Sequence, residues 1–162
     1  MGACNRQTCE GILGESAMKW LAALLLAILC GTGVAQTPLA AAVQSISKTG
    51  IFAFGGVGFA GKTSQGEIDF RIIESQPPTV ALEEFEKVYA TGDAAAKSYA
   101  LVGIRQLDRE RFSELLHSLQ GSQQNVLIMQ GCIIQKQKLA DIVRTIDAGR
   151  FDGYWEARQQ SH

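Results

Sequence analysis

The sequence predicts an α+β fold with a glycine-rich β-hairpin, a helical middle of about three helices, a buried strand and a C-terminal helix. Three observations carry this reading. Strand-type residues cluster in IFAFGGVGFAG and again in EIDFRIIES, with a turn-rich KTSQG between them. After Pro77-Pro78 the apolar period lengthens to that of a helix, three times in succession. Finally, the unbroken apolar run NVLIMQGCIIQ precedes a clean amphipathic stripe, Leu139, Ile142, Val143 and Ile146.

Taken in chain order, the first residues read as an address rather than as fold. Met18, Lys19 and Trp20 lead into LAALLLAILCGTGV and then Ala35-Gln36, the pattern of a basic start, a short apolar core and a small-residue cleavage site. Residues 18–35 are therefore expected to be a signal peptide cut between Ala35 and Gln36, and residues 1–17 an upstream start extension. The apolar core falls short of the roughly 20 residues that span a bilayer, so no membrane span is expected after cleavage. A lipid anchor at Cys30 is disfavoured because Leu29, not a small residue, precedes it. The implied location is the periplasm or the medium of a bacterium.

Cleavage removes Cys4, Cys9 and Cys30 and leaves Cys132, so no internal disulfide can brace the mature domain. Set in MQGCIIQ, Cys132 reads as a small buried hydrophobe. The prefix holds two basic residues, Arg6 and Lys19, and two acidic ones, Glu10 and Glu15, so its loss leaves the net charge at -1. Without a basic cluster, nucleic acid is not an expected partner.

Residues 36–49 read as a leader or linker and residues 50–155 as a single α+β domain, followed by a polar tail at 156–162. Within EIDFRIIES, Ile68, Phe70 and Ile72 alternate with Asp69 and Arg71, the mark of a half-buried strand. Thr79 is placed to cap a helix bearing Leu82, Phe85, Val88 and Tyr89, which Gly92 ends. Asp93 is placed to cap AAAKSYALVGIRQL, and Asp108 a third helix with Phe112, Leu115, Leu116 and Leu119 on one face.

The stretch GVGFAGKTS satisfies two nucleotide-binding patterns, GxxxxGK[ST] through Gly56, Gly61, Lys62 and Thr63, and GxGxxG through Gly56, Gly58 and Gly61. Either needs a helix opening at the glycines. The predicted strand after Lys62-Thr63 denies one, so nucleotide binding is rejected and no cofactor is expected. Gly55, Gly56, Gly58 and Gly61 are read instead as structural glycines, set where a strand packs closely against another backbone or a helix, or where it bulges or bends; the helix bearing Ala94, Ala95, Ala96 and Gly103 is the expected packing surface.

Other chemistry is sparse. Ser64, His117 and Asp141 lack any motif that would make the serine a nucleophile. Glu83, Glu84 and Glu86 read as carboxylates meeting a helix N-terminal dipole, and Arg109 and Arg111 as a solvated face. No catalytic or metal-binding residue is expected. Phe151, Tyr154 and Trp155 form an aromatic group at a polar chain end, and are the expected partner surface if one exists.

The segments FAFGGVGFAGKTSQGE, AKSYALVGIRQLD, QGCII and GRFDGYW resemble a group of small exported bacterial proteins of uncertain function. Some of these are similar to accessory or immunity-type proteins encoded with microcins. The resemblance spans about residues 50–155 and implies an exported protein that acts by contact with another exported or envelope protein. A periplasmic hydrolase-like enzyme and a small-ligand carrier are the alternatives. Intact mass of the exported protein checks the first step: a chain beginning at Gln36 is expected, and one beginning at Met1 or Met18 contradicts the signal peptide.

Overall fold

The computed structural model describes residues 37–154. The predicted signal peptide, its cleavage site at Ala35 and Gln36, Cys30, Trp155 and the polar tail lie outside the described residues. The fold is α+β, with six helices, a three-stranded sheet and a two-stranded one among the described residues.

The first element corrects an expectation. Residues read as a leader form α1, Pro38–Ile46, with the Thr37 side chain accepting from the Ala40 N–H and proline at the first helical position. Ala42 and Ile46 on this helix are buried in the main core. The domain therefore starts earlier than residue 50.

Strand β1, Ile51–Phe52, is followed by a glycine loop closed by β2, Gly56–Val57, against β3, Lys62–Thr63. A larger correction follows. EIDFRIIES is not a strand but lies in helix α2, Gln65–Glu74. Ser64 caps it by accepting from the Glu67 N–H at 3.1 Å. The pair Ser64 and Glu67 has the S-x-x-E spacing of a capping box, a start signal that outweighs the alternation of Ile68, Phe70 and Ile72. On the helix, Gly66, Phe70 and Ile73 make the inward face, while Ile68 turns outward.

Helix α3, Pro78–Thr91, begins with Pro77 rather than Thr79 at its cap. A proline at the first helical position loses no hydrogen bond and holds φ at a helical value, so the pair sets the start. Helices α4, Ala94–Leu107, and α5, Arg109–Leu119, take Asp93 and Asp108 as N-caps, as expected. Helix α4 is the centre of the domain, packing on α2, α3, α5, β1, β4 and the last helix. That explains why its apolar residues cover so much of its circumference.

The run 125–135 is also redrawn. It folds into a hairpin of β4, Asn125–Gln130, and β5, Ile133–Lys138, turning at Gly131-Cys132 with Gly131 at φ +56°. Strand β4 is central, parallel to β1 through Ile51 opposite Leu127 and antiparallel to β5. Only one of its faces is covered: Val126 and Ile128 are buried and Leu127 is exposed. Cys132, expected in the core, is exposed at the hairpin turn. Helix α6, Leu139–Asp147, buries Leu139, Ile142, Val143 and Ile146, the stripe read from sequence. Each such aliphatic side chain is worth roughly 1.5–3 kcal/mol when fully buried.

Of the two expectations for the glycines, the bend holds and close packing on α4 does not. Gly55, Gly58 and Gly61 have φ of +83°, +69° and +58°, and a Cβ on Gly58 or Gly61 would meet nothing within 4 Å. Conformation, not close approach of α4, selects them. Gly56 faces the backbone of Gly61 across the hairpin. Close packing is instead the role of Gly103 and Gly66, where an added Cβ would lie 2.4 Å from Phe85 and 2.7 Å from Tyr99. Replacing Gly58 with Val is expected to cost about 1–2 kcal/mol through left-handed strain, and with Asn much less, since Asn tolerates that region. Equal losses for the two in thermal melts would return the cause to packing.

Candidate functional site

Beneath the glycine loop the sequence has folded a polar network into an aromatic core. The Tyr99 hydroxyl, from the centre of α4, donates to the Ala53 carbonyl at 2.7 Å and lies 2.9 Å from the Ala53 N–H, which points at it. Ser64 Oγ donates to the same carbonyl at 2.8 Å and sits 3.2 Å from the Tyr99 hydroxyl. Glu67, 1% exposed, accepts from the Gly55 N–H at 2.8 Å and pairs with Arg71 one helical turn on. Its carboxylate thus leaves the reciprocal half of the capping box to hold the loop. Asp69, also buried, accepts from Ser45 on α1 and from Gln65.

Neither buried acid was singled out from sequence. Read as a strand, EIDFRIIES puts Glu67, Asp69 and Arg71 on the solvent face; as a helix it turns the two acids inward. The S-x-x-E spacing was the signal that could have found them.

Each of these groups is engaged with backbone or with another side chain. The Ser64 hydroxyl is occupied as a cap and as a donor to backbone. His117 and Asp141 lie elsewhere, His117 near the end of α5 beside Gln120 and Asp141 paired with Arg144 on α6. Glu83, Glu84 and Glu86, expected to meet the N-terminal dipole from the first turns, lie beyond the first turn of α3, where Glu84 pairs with Lys87 and Glu86 with Arg111 of α5. Among the described residues no cluster of His, Cys, Asp or Glu has a metal-binding arrangement.

The glycine motif is corrected in its premise. A helix does open after Lys62-Thr63, which the sequence reading denied. The loop itself is a hairpin, with Gly56 opposite Thr63 and Val57 opposite Lys62, and Lys62 is exposed on β3 rather than in the first turn of α2. In a phosphate-binding loop the lysine and threonine enter the helix, so that backbone N–H groups converge on the anion.

The aromatic residues near the chain end divide. Phe151 packs edge-on against Phe52 with centroids 5.2 Å apart and also meets Phe54. Tyr154 stacks beside Phe54 and over Gly55, whose missing side chain makes room, yet stays 46% exposed. Asp152 between them pairs with Arg105 of α4, which also donates to the Asp147 carbonyl. A cavity of about 10 Å³ between Phe54, Glu67, Gln106 and Tyr154 has room for roughly one water.

Two larger features remain. On the outer face of the three-stranded sheet, the register groups Ile51, Leu127, Met129 and Ile134 with Lys136 and Lys138. Ile134 is 54% exposed there, and β5 is an edge strand. On the opposite face, Phe52, Ile128, Ile142 and Phe151 floor a cleft of about 160 Å³, with Gln130, Gln137, Thr145 and Arg150 also lining it. No protein family, curated protein or solved structure matches this chain.

Burial raises the Tyr99 pKa above its ordinary value, with the nearby Glu67 and Asp69 charges acting the same way and its hydrogen bonds to Ser64 and Ala53 opposing. A raised folded-state pKa gives stability that is full below the unfolded value, about 10, and lost as pH climbs through the folded value. Tyr99→Phe should cost about 1–3 kcal/mol at pH 8 by stripping Ala53 of a partner. The difference in melting temperature between wild type and variant should shrink above about pH 10; a gap unchanged to pH 11 would refute the assignment.

Proposed function

We propose that this chain is an exported, non-enzymatic α+β module that acts by contact with another exported or envelope protein, in an accessory, immunity or inhibitor role. The observation that carries the reading is the bare outer face of the sheet. Exposed Leu127 and Ile134 stand beside Lys136 and Lys138 on a ribbon whose β5 is, among the described residues, an edge strand. Protein interfaces combine an apolar centre with such a polar rim, and an edge strand can accept a further strand. The lysines suit this use, because they repel a second identical edge while leaving an acidic partner welcome.

Other features support the same reading. The polar groups beneath the glycine loop are engaged in holding backbone, and Lys62 stands away from the helix start that a nucleotide would need. Among the described residues no helix is long and apolar enough to cross a membrane.

A photo-crosslinking residue at Ile134, compared with one at exposed Ser113 on α5, tests the proposal in the exporting cell. A discrete adduct from position 134 alone is expected. No adduct from either position, or the same adducts from each, would overturn it.

A further inference from the structure

We infer that the cleft between β4, β5 and α6 is a binding site for a small aromatic monocarboxylate, held by Arg150 over the floor of Phe52, Ile128, Ile142 and Phe151. The inference goes beyond protein contact, since this cleft lies on the face of the sheet opposite the bare one.

Size sets the first limit. About 160 Å³ is close to the roughly 150 Å³ cavity that accommodates benzene in an apolar protein core. A single ring with one short substituent fills such a space, whereas a nucleotide or a folded peptide does not enter it.

The lining sets the second. Phe52, Ile128 and Ile142 are almost wholly buried, so the floor is a fixed part of the core rather than a surface that rearranges. Phe52 and Phe151 meet edge-on at an interplanar angle of 69°, so the side of the cleft that they line is aromatic. The wall is polar through the amides of Gln130 and Gln137, which can donate to an oxygen acceptor.

Charge sets the third. Arg150 is the one charged residue lining the cleft. Arg71, Arg105, Arg111 and Arg144 each hold a carboxylate, Asp152 on the same loop is taken by Arg105, and Asp147, three residues before Arg150 on α6, makes no ion pair with it among the described residues. Among the described residues Arg150 forms no ion pair. A guanidinium with its fork of donors at the mouth of an aromatic-floored cleft matches a carboxylate, which accepts two parallel hydrogen bonds. Glycine at 149, with φ +79°, turns the chain between α6 and this arginine.

The test is a titration of the full chain followed through the methyl resonances of Ile128 and Ile142, with benzoate, benzyl alcohol and benzamidinium as probes. Saturable shifts at these two residues are expected with benzoate, with binding about tenfold or more weaker for benzyl alcohol and no saturation with benzamidinium. Arg150→Gln, a change at an exposed residue that breaks no ion pair among the described residues, should weaken benzoate by a similar factor and leave benzyl alcohol unchanged. The proposal falls if benzoate leaves Ile128 and Ile142 unmoved, if the alcohol matches the acid, or if Arg150→Gln binds benzoate as the wild type does.

Discussion

One hydroxyl group organises this domain. Tyr99 reaches from the middle of the central helix to the backbone of Ala53, at the point where β1 ends and the glycine loop begins. A buried peptide without a partner would cost more than most single contacts contribute, so this bond decides whether the loop can lie against the core at all. Ser64 shares the same carbonyl and simultaneously starts α2, which ties the beginning and end of the loop to one point. The rings of Phe52, Phe54 and Phe70 surround the phenol, so the polar anchor and the aromatic core occupy the same place.

The buried acids extend that logic outward. Glu67 holds the amide of Gly55, and Asp69, two residues on and across the helix from it, holds Ser45 of α1. A single helix thereby fastens the loop on one side and the N-terminal helix on the other. The cost of burying two carboxylates is offset by hydrogen bonds and, for Glu67, by Arg71. The tail is fastened by a similar device, with Arg105 gripping Asp152 while Phe151 and Tyr154 cover the loop.

What was legible in the sequence follows from which signals were local. Asp93 and Asp108 cap helices whose stripes are unambiguous, and Leu139 to Ile146 bury as their spacing indicates. The helix at 65–74 was hidden because Ile68, Phe70 and Ile72 alternate by chance on a helix whose true inward face includes glycine and two acids, residues that no hydrophobic pattern marks. The hairpin at 131–132 was hidden in an apolar run, since the exposed Ile133 and Ile134 that open the edge strand look in sequence like residues of a covered one. Neither the cleft nor the bare face could be read in advance. Each is assembled from strands and a helix brought together by the pairing of β1 with β4.

That pairing bears on how the molecule reaches its fold. Ile51 must find Leu127 across a chain segment that contains four helices, whereas β4 and β5 meet across a two-residue turn and the helices α3, α4 and α5 are joined by almost nothing. Closing a long loop is entropically expensive, while neighbouring helices and a hairpin assemble from nearby residues. The short parallel ladder of two residues is therefore the natural last step of folding, added to a helical nucleus already built around α4. Until it forms, the cleft floor lacks Phe52 and the sheet has no first strand, so a kinetic intermediate of this chain would carry its helices intact and both faces of its sheet unfinished.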